Sequence, residues 1–123
     1  MEKRPWIALL LDFYGELLTE RQKGLMKLYY EEDLSFGEIA ENLQISRQAV
    51  FDQIKRGEKS LYHLEEKVGL AKRFLEERTR WRRFTRELQA IETSLDSGQE
   101  ADRQAAQKRL RALREDMSSL LAE

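Results

Sequence analysis

The segment that most constrains the fold of this chain is SFGEIAENLQISRQAVFDQIKR, residues 35–56. It contains two short helical patterns separated by a few turn residues, which is the arrangement of a helix–turn–helix. Ser35-x-x-Glu38 has the form of a capping box that begins the first helix, and Ser46 is suited to cap the second. Two helices can cross closely only if the first carries a small residue at the crossing, and Ala40 meets this requirement. The segment therefore predicts a helix–turn–helix unit.

Apolar residues at helical spacing define the buried side of this unit. The residues expected to form its core are Ile39, Leu43, Ile45, Val50 and Ile54. The turn usually has glycine directly after the leucine, because the backbone there adopts a positive φ, and this chain has Gln44 at that position. A residue other than glycine costs about 1 kcal/mol in that conformation, which the unit can tolerate.

Start and stop signals predict about six helices and no strands. The first is expected over about 6–17 and the second after the capping box Thr19-x-x-Gln22. The third is expected over about 36–43, and the fourth from Ser46 to about Lys67. Gly69 is then expected to end the fourth helix in the left-handed conformation.

Two further helices follow, each with a heptad seam, meaning apolar residues at spacings of three, four or seven. The first seam consists of Leu70, Phe74, Trp81, Phe84, Leu88, Ile91 and Leu95, and the second of Ala106, Leu110, Leu113, Met117 and Leu120. Asp96-Ser97-Gly98 between them is a turn signal, so the two helices are expected to form an antiparallel hairpin.

The predicted fold class is therefore all-α, with a four-helix helix–turn–helix domain over residues 1–69 and a C-terminal helical hairpin over 70–123. A heptad seam can also pair with a second copy of the chain. If it does, the hairpin is a dimerisation element, and a homodimer is therefore one expected assembly.

Composition excludes several classes of function. The chain has no cysteine, so disulfides and thiolate metal sites are excluded and a reducing, cytoplasmic location is expected. The apolar run near the N-terminus is interrupted at Asp12, and nothing approaches the ~20 apolar residues of a membrane span. His63, the single histidine, has no second ligand near it in sequence, and the glycines form no phosphate-binding loop. We therefore expect no metal, no cofactor and no enzymatic activity.

Charge must be considered locally, because the net charge of the whole chain is only −1. Residues 1–71 carry 10 basic against 13 acidic residues, and residues 72–123 carry 12 against 10. Residues 46–60 have a basic excess of two. Any electrostatic attraction to nucleic acid must therefore come from patches.

The exposed side of the second helix of the unit is the first candidate nucleic-acid-binding surface. Its residues are Ser46, Arg47, Gln48, Phe51, Asp52, Lys55, Arg56 and Lys59. Arg47 and Gln48 suit base edges, whereas Lys55, Arg56 and Lys59 suit phosphates. Phe51 can contact a thymine methyl or stack on an unpaired base, and Asp52 can accept from a cytosine amine but would repel a phosphate.

A second candidate surface is the basic stretch RTRWRRFTR. Its arginines are Arg78, Arg80, Arg82, Arg83 and Arg86. Arginines interleaved with aromatic residues are typical of an RNA-backbone or stacking surface. Because Trp81 and Phe84 also fit the heptad seam, we expect them to lie between the hairpin helices with the arginines as a solvated flank, free to contact phosphates.

The stretch LLLDFYGELLTERQKGLMKLYYEEDLSFGEIAENLQISRQAVFDQIKRGEKSL resembles the YlxM family of bacterial helix–turn–helix proteins. The resemblance covers more than half of the chain and is specific in DFYGELLT and in the segment that follows it. It implies a fold similar to region 4 of sigma factors and a role with the signal recognition particle, the ribonucleoprotein of protein targeting. The family's motif positions correspond to Ser46, Arg47, Gln48, Ala49, Val50, Asp52, Ile54, Lys55 and Arg56, with the usual aromatic at Phe51. The resemblance implies no catalytic residues.

Three functions are consistent with these observations. The leading hypothesis is a nucleic-acid-binding accessory or regulatory protein of the signal recognition particle pathway, whose ligand is structured RNA or duplex DNA. The alternatives are a DNA-binding transcriptional regulator resembling sigma factor region 4 and a protein-only module that binds the targeting GTPase. Phe51 and Asp52 favour a structured RNA or a protein over promoter DNA.

Overall fold

The computed structural model describes residues 1–122, and all regular structure in that range is helical. This confirms the predicted all-α fold. The helices are α1 (Lys3–Tyr14), α2 (Glu20–Tyr30), α3 (Phe36–Leu43), α4 (Arg47–Val68), α5 (Leu70–Asp96) and α6 (Glu100–Leu121), with a 3-10 turn at Gly15–Leu17 between α1 and α2. The first helix is thus three residues shorter than expected at its C-terminal end.

Side-chain caps begin three of these helices, as the sequence predicts. Thr19 begins α2 and Ser35 begins α3, each in a capping box in which both hydrogen bonds are formed. Ser46 begins α4, and its Oγ accepts a hydrogen bond from the backbone N–H of Ala49 at 3.0 Å. These caps satisfy backbone donors that a helix start otherwise leaves unpaired.

The turn between α3 and α4 depends on one left-handed residue. Gln44 has φ 55° and ψ 45°, which confirms the positive φ expected at this position. Its N–H donates to the carbonyls of Ala40 and Glu41, and the N–H of Ile45 donates to the carbonyl of Ala40 at 3.1 Å. The turn therefore both ends α3 and directs the chain into α4.

Residues Met1–Phe74 form one compact unit in which α4 packs against α1, α2 and α3. Its fully or nearly buried core residues are Ile7, Leu10, Leu11, Tyr14, Leu18, Leu25, Met26, Ile39, Ala40, Val50, Ile54, Leu61 and Ala71. One residue expected in the core, Leu43, is not buried and is 46% exposed. Leu43 is the last residue of α3 and lines a surface groove with Leu25 and Leu28 of α2.

The half-buried carboxylate of Glu65 connects α1, α4 and the first turn of α5 within this unit. The hydroxyl of Tyr14 donates to Glu65 Oε1 at 2.7 Å and accepts from the N–H of Leu70 at 3.1 Å. Glu65 also accepts from the N–H groups of Ala71 and Lys72 at 3.0 and 2.9 Å. Glu65 therefore caps α5 although it belongs to α4, which explains why the compact unit extends past Gly69.

Burial and the hydrogen bond to Glu65 both raise the pKa of Tyr14. Burial alone would raise the pKa of Glu65, but the hydrogen bonds from Tyr14 and from the N-terminus of α5 outweigh it and lower that pKa. Both shifts favour the neutral hydroxyl facing an ionised carboxylate.

The second unit contains the rest of α5, from Leu75, together with α6. Phe84, Ile91, Ala106 and Leu113 form its small buried core. Ion pairs link Arg109 Nε to Glu87 at 2.8 Å and Arg83 to Asp116 at 3.6 Å, pairings that only antiparallel helices allow. The predicted helical hairpin is therefore confirmed.

The hairpin buries only part of the predicted seam. Trp81 was expected between the helices but is 60% exposed, and Leu88, Leu95 and Leu110 are each about half exposed. A heptad seam has two apolar positions in every seven residues. Two helices alone bury only the position at which they face one another, so the other position remains at the surface.

None of the helices in residues 1–122 combines the length and apolar character that crossing a bilayer requires. Over the same residues, no group of three or more histidine, aspartate or glutamate side chains is arranged to hold a metal ion.

Candidate nucleic-acid interface

The outward face of α4 carries the residues predicted to contact nucleic acid. At about 100° of rotation per residue, the seven residues from Arg47 to Lys59 in that set fall within about half of the helix circumference. The opposite side, centred on Val50, Ile54 and Leu61, is buried. The structure thus brings the predicted α4 residues together on one exposed surface.

The N-terminal turn of α4 presents Arg47 and Gln48 to solvent. The guanidinium of Arg47 packs against Gly37 of α3, where an added Cβ would lie 2.7 Å from Arg47 Nη2. The hydroxyl of Ser46 is already used as the N-cap. Ser46 therefore positions this turn, and Arg47 and Gln48 are its side chains available to a ligand.

Asp52 is engaged within the same helix. Gln48 Nε2 donates a hydrogen bond to Asp52 Oδ1 at 2.9 Å. This contact holds the Gln48 side chain along the helix and occupies one oxygen of the acid. Asp52 consequently orients a neighbouring contact residue and is not only a repulsive charge.

Phe51 is the exposed end of a row of aromatic rings. It contacts Phe36 edge-on, with ring centroids 5.7 Å apart, and Phe36 stacks on Tyr29 at 4.7 Å. Tyr29 in turn contacts Tyr30, and the guanidinium of Arg4 lies over both tyrosine rings at 4.7 and 5.0 Å. Phe51 is 38% exposed, so its ring is held in place by this row while part of it remains open to a ligand.

Lys55 is less free than the sequence suggests. Its Nζ lies 3.4 Å from Glu58 Oε2 and 5.5 Å from the centroid of the Phe51 ring. Glu58 is only 6% exposed and also receives the hydroxyl of Tyr30 and the ammonium of Lys3, the latter at 3.5 Å. Burial, followed by the hydrogen bond to Glu58, raises the pKa of Tyr30. Lys55 thus balances a buried acid as well as facing solvent.

Arg56 and Lys59 are exposed and form no ion pair with any residue among 1–122. They lie on the outward face of α4, one turn apart. Arg47 likewise forms no ion pair among residues 1–122. These three cations of the face are therefore free to bind phosphate oxygens.

The structure separates the five arginines predicted as a second basic surface. Arg83 pairs with Asp116 and lies 5.2 Å from the centroid of the Phe84 ring, and Arg80 is partly buried beside α6. Arg78, Arg82 and Arg86 project from the outer side of α5 around Trp81. Only these three lie side by side at a spacing of four residues.

Sequence reasoning missed Phe36, Arg4 and Glu58. Phe36 follows the N-cap of α3 and gave no pattern of its own, and Arg4 reaches the aromatic row only through the tertiary fold. Glu58 had a usable signal, because it continues the four-residue spacing of the buried residues Val50 and Ile54 in α4.

Helices α3 and α4 are joined by a short turn, and α4 presents an exposed polar face. These features define a helix–turn–helix protein. Residues 1–108 match the model of the UPF0122 family, described as "Putative helix-turn-helix protein, YlxM / p13 like". The chain belongs to this family, and the resemblance inferred from the sequence is confirmed.

Curated relatives agree with this assignment. A UPF0122 protein of Acetivibrio thermocellus is 48% identical over 101 residues, which is 82% of this chain and 86% of the relative. A UPF0122 protein of Desulforamulus reducens is 56% identical over 71 residues, covering 58% of this chain and 61% of the relative. A UPF0122 protein of Listeria monocytogenes is 52% identical over 73 residues, covering 59% and 66% respectively.

Proposed function

We propose that this protein binds nucleic acid through the outward face of α4, as a non-enzymatic accessory or regulatory protein of the signal recognition particle pathway in the cytoplasm. The observation that carries the proposal is the combination on one face of Arg47 and Gln48 with the unpaired cations Arg56 and Lys59. Helix–turn–helix proteins insert the N-terminal turn of this second helix into a groove and contact phosphates from the flanking positions.

Two features of the face favour structured RNA over regular duplex DNA. The fixed, partly exposed Phe51 ring offers a stacking surface, which an unpaired base can use and a paired base cannot. In addition, Lys55 and Asp52 are both engaged within the protein, which leaves few free cations on the centre of the face. A phosphate-dominated duplex interface would require more of them.

The role in protein targeting is the finer part of the proposal and is supported by the resemblance to the YlxM family. The particle contains both a structured RNA and a GTPase, so either is a direct partner in this proposal. Because the outward face of α4 offers base- and phosphate-directed side chains, we assign the contact to the RNA.

Direct binding measured with purified components tests the proposal. Three ligands are titrated into the protein at low and at high salt: the particle's RNA, a duplex DNA of mixed sequence and the targeting GTPase. We expect the RNA to bind most tightly and its affinity to fall steeply with salt.

An Arg47→Ala/Arg56→Ala double variant should weaken RNA binding, whereas Lys27→Ala, which removes an exposed cation from α2, should not. Binding only to the GTPase, unaffected by the double variant, would overturn the proposal. Tighter, sequence-dependent binding to DNA that is lost in Arg47→Ala would instead identify a transcriptional regulator.

A further inference from the structure

The hairpin of the second unit exposes a continuous apolar face. On α5, Trp81, Leu88 and Leu95 recur every seven residues at the surface. On α6, Leu110 and Met117 do the same, seven residues apart. Trp81 and Met117 line one cleft together with Phe84 and Leu121, so the exposed residues of both helices lie on the same side of the hairpin. We call these residues, with Leu121, the hairpin face.

The heptad pattern indicates what would cover the hairpin face. The apolar residues of α5 from Trp81 to Leu95 alternate at spacings of three and four, and those of α6 from Ala106 to Leu120 do likewise. Within the hairpin only one of the two seam positions on each helix is buried. Both positions become buried when two such hairpins stack as a four-helix bundle, whose core consists of these positions.

Charges beside the hairpin face show which second hairpin fits. Along α5, the flank next to the face carries Arg78 and Arg82 towards one end and Glu92 and Asp96 towards the other. None of these four residues forms an ion pair with any of residues 1–122. By contrast, Glu87 and Arg83 are already paired across the hairpin. The unpaired flank is therefore basic at one end and acidic at the other.

Such a flank is complementary to itself when reversed. If α5 lies against α5 of a second copy in antiparallel orientation, Arg78 meets Asp96 and Arg82 meets Glu92. Both pairs have their midpoint at position 87, beside Leu88, so a single twofold axis forms four ion pairs and places the two Leu88 side chains together.

We infer that the protein is a homodimer in which the hairpin faces of two copies stack as an antiparallel four-helix bundle, with α5 against α5. The partner that fits this surface is a second copy of this chain.

Sedimentation equilibrium of the full chain tests the inference. We expect a concentration-dependent mass approaching twice the 14.6 kDa of the monomer. Leu88→Glu places two carboxylates at the twofold axis and should raise the dimer dissociation constant at least a hundredfold. The matched control Thr79→Glu adds the same charge to α5 away from the face and should leave it unchanged. A wild-type protein that stays monomeric at all concentrations, or a dimer indifferent to Leu88→Glu, would overturn the inference.

A charge exchange tests the orientation without changing the apolar face. Arg78→Glu and Asp96→Arg should each raise the dissociation constant about tenfold, because each replaces two attractive pairs by two repulsive ones. The double variant should restore wild-type association, since every pair is again of opposite sign. Failure of the double variant to recover would rule out this antiparallel arrangement. Loss of RNA affinity in Arg78→Glu with association unchanged would show instead that these arginines contact phosphates.

Discussion

Replacing Tyr14 by phenylalanine tests the connection that joins α1 and α4 to the start of α5. The aromatic ring stays buried, and the change removes only the hydroxyl. Two hydrogen bonds are lost with it, one to the Glu65 carboxylate at 2.7 Å and one from the N–H of Leu70 at 3.1 Å. The N–H groups of Ala71 and Lys72 still bond to Glu65.

The expected loss follows from these contacts. A hydrogen bond to a charged group contributes roughly 1.5–3 kcal/mol and one between neutral groups roughly 0.5–1.5 kcal/mol. Losing both should lower the free energy of unfolding of the first unit by about 2–4 kcal/mol. Tyr62→Phe is the matched control, because Tyr62 is exposed and its hydroxyl has no hydrogen-bond partner among residues 1–122.

Urea unfolding followed by tryptophan fluorescence measures this loss. A Trp81→Phe background leaves Trp6, which packs against the core of the first unit, as the single reporter. We expect the Tyr14→Phe midpoint to move to lower urea with little change in slope, and the control midpoint to stay in place. If Tyr14→Phe loses no more stability than Tyr62→Phe, the hydroxyl does not connect the helices as described.

The structure also predicts how three further substitutions change the stability of the first unit. Because hydrogen bonds lower the pKa of Glu65, its contribution to stability is present above the unfolded-state pKa of about 4.3 and is lost as the pH falls below that value. In acid-unfolding experiments, Glu65→Gln should therefore reduce the dependence of the unfolding free energy on pH between about pH 5 and pH 3. Gln44→Gly should raise the unfolding free energy by about 0.5–1 kcal/mol in urea titrations, because it relieves a left-handed residue at the expense of a more flexible unfolded chain. Gly57→Ala should lower the melting temperature, because its Cβ would lie 2.9 Å from the sulfur of the fully buried Met26, and overpacking of about 1–3 kcal/mol exceeds the helix-propensity gain of about 1 kcal/mol.

Features set by neighbouring residues could be predicted from the sequence. The capping boxes of α2 and α3 depend on side chains three residues apart, and the positive φ of Gln44 follows from its place after the last residue of α3. Gly69 likewise ends α4 in the left-handed conformation. In each case the deciding interaction lies within a few residues of the chain.

Features that depend on which surfaces meet could not be predicted in the same way. Leu43 and Trp81 fit helical spacing as well as their buried neighbours do, yet they are 46% and 60% exposed. The free charges of the candidate site also depend on which surfaces meet. The sequence shows Glu58 three residues after Lys55, but it does not show that Glu58 is buried and bonded to Tyr30, 28 residues away. Which cations of a surface remain free is therefore a property of the tertiary structure.

The salt dependence of RNA binding tests most directly the claim that the outward face of α4 binds nucleic acid. Affinity is measured against salt concentration for the wild type, Arg56→Ala/Lys59→Ala and Lys55→Ala. Each lost phosphate contact should lower the slope of log affinity against log salt by about 0.7–0.9. We predict a decrease of about 1.5 for the double variant and a smaller change for Lys55→Ala, whose ammonium already faces Glu58 at 3.4 Å. Equal slopes for the wild type and the double variant would show that Arg56 and Lys59 do not contact phosphates.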